Sequence, residues 1–176
     1  MRAQTGKTLF RSERRVLMKQ KRVRILREAI KANIRVLRVK LPQGVRAAYV
    51  CHDGDKVIAI DAALPPREAL GSLAMELGFD NTSSSTNMLY TPLDEATRRL
   101  SQAYAWALER LLPLDLLADA FLAYDANIPA MADALNLPVD FLEQAFSHYR
   151  ARYGASCETC HHRVSFIPWF SAEPKI

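Results

Sequence analysis

The stretch Leu73-Ala74-Met75-Glu76-Leu77-Gly78-Phe79-Asp80 constrains this chain more than any other. Its apolar spacing is that of the end of a helix, with Gly78 as the expected stop. Its frame is that of the zinc-peptidase helix H-E-x-x-H. There, two His four residues apart share one face and hold the metal, and the Glu is the general base. Met75 and Phe79 stand where the two His would be, and Glu76 keeps its place. A thioether and a phenyl ring do not hold Zn²⁺, which takes imidazole, thiolate or carboxylate. The stretch therefore reads as the frame of a hydrolase from which the metal chemistry has been removed, and Glu76 as vestigial, a helix-surface or capped carboxylate.

The rest of the chain is that of an ordinary globular protein. Its 176 residues are 49% hydrophobic and 24% charged, which suits one domain with appendages and a real core. No apolar run is long enough to span a membrane. The basic N-terminus lacks the apolar core of a secretory signal. Three Cys, an odd number, speak against a disulfide scaffold and for a reducing, cytoplasmic setting.

Charge is unevenly spread. Residues 1–40 carry 14 Lys and Arg against two acids, net +12, which leaves 10 basic and 17 acidic residues, net −7, in the remainder. A basic arm on an acidic body is the pattern of a segment that seeks phosphate or an acidic partner. Ser12 is placed to cap a helix reaching about Asn33, with Val16, Val23, Leu26 and Ile30 as its apolar stripe. Arg11, Arg14, Arg15, Lys19, Lys21, Arg22 and Arg24 are the candidate contacts to nucleic acid or an acidic protein. The competing reading is a solvated helix face. Only Phe10 supplies an aromatic ring, so base stacking on this arm is not expected.

Three strands follow. Ile34 to Val39 alternates, Leu41-Pro42-Gln43-Gly44 is a turn, and Val45 to Cys51 is a second strand. His52-Asp53-Gly54-Asp55 is a hairpin turn leading into Lys56 to Asp61. An antiparallel sheet is expected. Pro65-Pro66 open the helix with Leu70, Leu73 and Leu77 buried, and Asp80 to Asn87 form a polar connector. Thr91-Pro92 start a helix to about Leu112, with Leu100, Ala103, Ala107 and Leu111 as its stripe. Pro113 begins another, ending near Tyr124. Asn127 to Tyr153 holds two helices around Asn136-Leu137-Pro138. The second opens with Asp140 and Glu143, which would face phosphates, so packing is favoured over DNA reading.

The C-terminal stretch raises a second metal question. Cys157-Glu158-Thr159-Cys160-His161-His162 offers two thiolates and two imidazoles, the donor types of a structural zinc site, with Cys157, Cys160, His161 and His162 as candidate ligands. Cys51-His52 could add donors if the tail folds back on the hairpin. A plain thiol-bearing tail is the alternative. Val164 to Phe170 is too apolar to float free and should dock on the body or on a partner.

From about Val23 to Gly154 the chain resembles the ImmA/IrrE family of small metallopeptidases of phages and mobile elements. The resemblance rests on stretches in the right order: Leu41-Pro42-Gln43-Gly44, Ala48-Tyr49-Val50 with Asp53-Gly54, Ile58-Ala59-Ile60-Asp61, Leu73 to Gly78, Trp106-Ala107, Ala130 to Leu135, Phe141-Leu142 and Tyr149-Arg150. It implies an α+β fold, mostly helical, with a small three-stranded antiparallel sheet on a minimal zincin-like helix core. It suggests residues 1–31 as arm and first helix, 32–154 as the peptidase-like domain, and 155–176 as a tail. It places the third metal ligand at Leu100, also apolar, so the three lost ligands suggest a cavity refilled as core. Family enzymes cleave a repressor. The departure implies a non-catalytic protein of a phage or mobile element that binds a host or element protein as modulator or inhibitor. A zinc peptidase cleaving a repressor and a nucleic-acid-binding regulator are the alternatives.

Overall fold

The computed structural model describes residues 20–82 and 93–175. Two compact units are set apart by their internal contacts, Lys21–Leu111 and Leu112–Ile176. The sequence suggested cuts after residues 31 and 154.

In the first unit, α1 is helical over residues 20–31. It ends where Asn33 takes the left-handed region, φ 55°, which Asn tolerates better than most residues. Its buried face is Ile25 and Ala29, while Val23 is 42% and Ile30 73% exposed. The helical period was read correctly but its phase was not. Lys and Arg crowd this segment, and Ile25 with the small Ala29 is what the fold covers. Ser12, Val16, Phe10 and the arm residues Arg11, Arg14, Arg15 and Lys19 lie outside the described residues, as do positions 83–92 with the Thr91-Pro92 start.

Strands β1 (Ile34–Val39), β2 (Ala47–His52) and β3 (Asp55–Asp61) form a sheet of order β1-β3-β2. The β2–β3 hairpin closes at Asp53-Gly54, both at positive φ, as the Asp-Gly signal predicts. The expected all-antiparallel pairing is corrected here, because β1 runs parallel to β3 and the sheet is mixed. The cause lies in composition. β3 carries Ile58 and Ile60, both buried, and takes the centre, where both edges are hydrogen-bonded. β1, with Arg35 and Arg38, takes an edge, where charges are tolerated. Arg38 uses that position to donate to the carbonyls of Ala62 and Leu64.

Helix α2 (Pro66–Thr82) buries Leu70, Leu73, Ala74 and Leu77 and packs against β2, β3 and α3 (Leu93–Leu111). It does not stop at Gly78. That residue is where α3 comes close: a Cβ built there would lie 2.4 Å from the carbonyl oxygen of Ala103. Asp80 to Thr82, expected in a loop, are therefore helical. In α3, Ala103, Ala107, Leu108 and Leu111 are buried, but Leu100 is 45% exposed.

The second unit holds α4 (Leu114–Ala123), α5 (Ile128–Leu135) and α6 (Val139–Tyr153). The Asn127 side chain caps α5 through the Ala130 N–H, and Asn136 ends it in the left-handed region. Met131, Leu135, Leu137, Leu142 and Ala145 fill the core, and the buried Tyr149 hydroxyl donates to the Leu112 carbonyl at 2.7 Å. The tail is structured. Strands β4 (Ser156–Glu158), β5 (His162–Ser165) and β6 (Ser171–Pro174) form an antiparallel sheet of order β4-β5-β6, with β5 and β6 against α4. The rings of Phe121, Phe146, Phe166 and Phe170 meet edge to face beneath it. Among the described residues, no helix is long and apolar enough to cross a membrane.

Candidate functional site

The site is built where α2 passes beneath the hairpin. Glu76 and Asp80 are four residues apart and so share a helix face. The Glu76 carboxylate lies near the backbone N–H of Tyr49 in β2, which favours its charged form. One turn on, Asp80 accepts from the Tyr49 hydroxyl and pairs with the Lys56 ammonium, both at 2.6 Å, and its side chain is almost fully covered. Burial pushes the Glu76 carboxyl up to about 7, against a smaller lowering from the Tyr49 N–H. Burial first, and then the Asp80 carboxylate, push the Tyr49 phenol well above its ordinary value.

Near neutral pH, Glu76 is thus divided between its acid and carboxylate forms, the condition suited to moving a proton. What the arrangement lacks is a set of donors for an ion beside it. Met75 and Phe79 are half-buried on α2. Leu100, the third position, is on α3 one turn before the Ala103 that meets Gly78. None of the three belongs to the buried core, so the expected refilling of a cavity as core is corrected: these side chains line the helices part-exposed. Zn²⁺ takes thiolate, imidazole or carboxylate, and these three positions provide none. Among the described residues, no group of three or more His, Cys, Asp or Glu is placed to hold a metal ion.

The C-terminal candidates separate in the same way. Cys157 is half-buried on β4, and burial, with Asp115 nearby, pushes its thiol up, toward the protonated form that is a poor ligand. Cys160 and His161 are exposed in the turn. His162 is 4% exposed, with Nδ1 3.1 Å from Asp115 Oδ1 and Nε2 3.2 Å from Asp119 Oδ1. Both ring nitrogens are therefore taken by carboxylates of α4. Burial would raise Asp115, but hydrogen bonds from Thr159, His162 and the His161 backbone outweigh it and hold its carboxyl low. On the hairpin, Cys51 is exposed and His52 sits 3.4 Å from Asp53.

Of the basic candidates, Lys21 donates to the Leu111 carbonyl at 2.7 Å and so ties α1 to the end of α3. Arg24 pairs with Glu28 at 3.3 Å, and Arg22 is exposed. Tyr49, Lys56 and Asp80 were not singled out from sequence. The signal available was the second carboxylate four residues after Glu76, which places both on one face.

A sequence model of the IrrE N-terminal-like domain, a peptidase family, matches residues 27–165. That is well over half of the chain, and the chain belongs to this family. The match runs past Gly154 and takes in the Cys157–His162 segment, which the resemblance had left outside. None of the curated proteins matches.

Proposed function

We propose that this chain is a metal-free member of its family, from a phage or mobile element, that acts by binding a host or element protein, a regulator or defence protein, without cutting it. One observation carries the reading: the family frame persists around Glu76, while Met75, Phe79 and Leu100 offer no atom that zinc accepts. Without an activated water beside it, Glu76 has no nucleophile to generate. It sits instead where α2 packs on β2 of the hairpin, near the Tyr49 backbone.

The test uses protein purified without added metal. Zinc content should be far below one per chain, and incubation with Zn²⁺ and candidate repressors should leave them intact. Glu76→Gln should change neither result. Cleavage that depends on Glu76 would restore the zinc-peptidase alternative.

A second reading has some support in α1. Arg22, Arg27 and Lys31 are exposed there and have no acidic partner among the described residues. Binding of duplex DNA through this face would weaken steeply with salt, and Arg22→Ala with Arg27→Ala would reduce both affinity and salt slope. Binding unchanged in that double variant would remove the nucleic-acid role.

A further inference from the structure

Among the described residues, His162 is the one polar or charged residue that the fold buries. It opens β5 and shares the buried side of that stretch with Val164 and Phe166, two and four positions on. A buried polar side chain costs stability unless each of its polar atoms is met. Here α4 meets both ring nitrogens: Nδ1 lies 3.1 Å from Asp115 Oδ1, and Nε2 lies 3.2 Å from Asp119 Oδ1. The turn fixes this approach, because the Thr159 hydroxyl donates to the same Asp115 oxygen and accepts the His162 backbone N–H at 2.9 Å.

A count of hydrogens sets the state of the ring. Neutral imidazole donates from one nitrogen and accepts at the other, whereas imidazolium donates from both. A carboxylate only accepts. Burial would raise the Asp115 carboxyl, but hydrogen bonds from Thr159 and His162 outweigh it, so Asp115 is a carboxylate at neutral pH. For both contacts to be hydrogen bonds, the ring must carry a proton on each nitrogen. It then has no lone pair to offer a metal.

We infer that His162 is a proton-operated latch: as imidazolium it bridges Asp115 and Asp119 and fastens the β4–β5 end of the tail sheet to α4, and loss of one ring proton unfastens it. The neutral ring would set a lone pair against a carboxylate oxygen, a repulsive contact that a buried side chain cannot relieve by turning to water. The surrounding charges do not take over this role. His161 is exposed in the turn, 6.5 Å away ring to ring. The Lys175 ammonium is 2.9 Å from Glu158. Arg163 and Glu173, in register across β5 and β6, are on the exposed side of the sheet. Cys157 of β4 lies by Asp115, and burial keeps its thiol protonated. Val164 and Phe166 hold the rest of the sheet, so the opening is local to residues 157–163. The latch is closed while the ring is charged and opens as pH rises through its titration. It is independent of what the chain binds.

The test uses full-length, isotope-labelled protein. Imidazole nitrogen spectra at about pH 7 should show both His162 nitrogens protonated, the signals being assigned by their loss in His162→Gln. Hydrogen exchange then compares wild type with His162→Gln, whose amide cannot donate at both ends. Amides 157–163 should be protected roughly tenfold or more better in wild type at about pH 6, and the ratio should close toward one by about pH 9. Taking the ratio at each pH cancels the response of Glu76 in the first unit. Asp119→Asn keeps an acceptor for Nε2 but removes its charge, so the ring should give up its proton at lower pH in that variant. The inference is overturned if one His162 nitrogen is bare at about pH 7, or if the protection ratio is the same at every pH, which would make His162 a fixed structural bond. Should His162→Gln not fold, the spectra of wild type and Asp119→Asn decide alone, and an unmoved titration midpoint overturns the latch.

Discussion

Gly78 of α2 and Ala103 of α3 approach so closely that a Cβ on the glycine would lie 2.4 Å from the alanine carbonyl oxygen. At an open helical position, Gly→Ala stabilises by about 1 kcal/mol. Here the obstacle is backbone, which cannot swing away, so Gly78→Ala should destabilise by about 2–3 kcal/mol. Urea denaturation of the two proteins gives the sign directly.

Glu76 sets a dependence on pH. Its carboxyl is raised to about 7 in the folded protein from an ordinary 4.5, chiefly by burial. The folded state therefore holds the proton more tightly than the unfolded chain. The resulting stability is complete below about pH 4.5 and is lost as pH rises through about 7. Glu76→Gln keeps an acceptor for the Tyr49 N–H and cannot ionise. It should match wild type near pH 4.5 and exceed it by about 3 kcal/mol at pH 8. Thermal melts across that range check it.

The second unit should respond in the opposite sense. Asp115 is held low by its hydrogen bonds, so its contribution is present at neutral pH and is lost as pH falls through its folded value. His162, set between Asp115 and Asp119, is the more severe target. His162→Ala leaves two carboxylates facing a void and should cost about 3 kcal/mol, read by chemical denaturation.

Tyr149→Phe tests a single bond. The ring and its neighbours remain, and only the hydroxyl that satisfies the Leu112 carbonyl is lost. A loss of about 1–2 kcal/mol is expected by the same measurement.

The family frame can also be tested by restoring it. Met75→His, Phe79→His and Leu100→Glu together should give a protein that takes up about one zinc per chain, the occupancy of a three-ligand family site. Competition with a chromogenic chelator measures it. Failure to gain zinc would show that the three positions do not converge.

What the sequence revealed was set by how local each signal is. Leu70, Leu73 and Leu77 announced α2, and Asp53-Gly54 announced the hairpin, because both patterns are complete within a few residues. The phase of α1 was missed because Val23 and Ile30 look as apolar as Ile25, and only the neighbouring elements decide which faces inward. The parallel β1–β3 pairing and the role of Gly78 depend on partners far along the chain. In the site, Glu76 was legible from its frame. Tyr49 and Lys56 were not, since their bonds to Asp80 span 31 and 24 positions. The tail sheet escaped because its strands are three or four residues long and half polar.

The aromatic rings packed beneath β4–β6 bear on how this protein can be shortened. An expression clone stopped after Gly154 would remove Phe166 and Phe170 from the rings of Phe121 and Phe146 and strip His162 from α4. The remaining polypeptide would carry an oily scar in place of its finished surface and should collect in inclusion bodies.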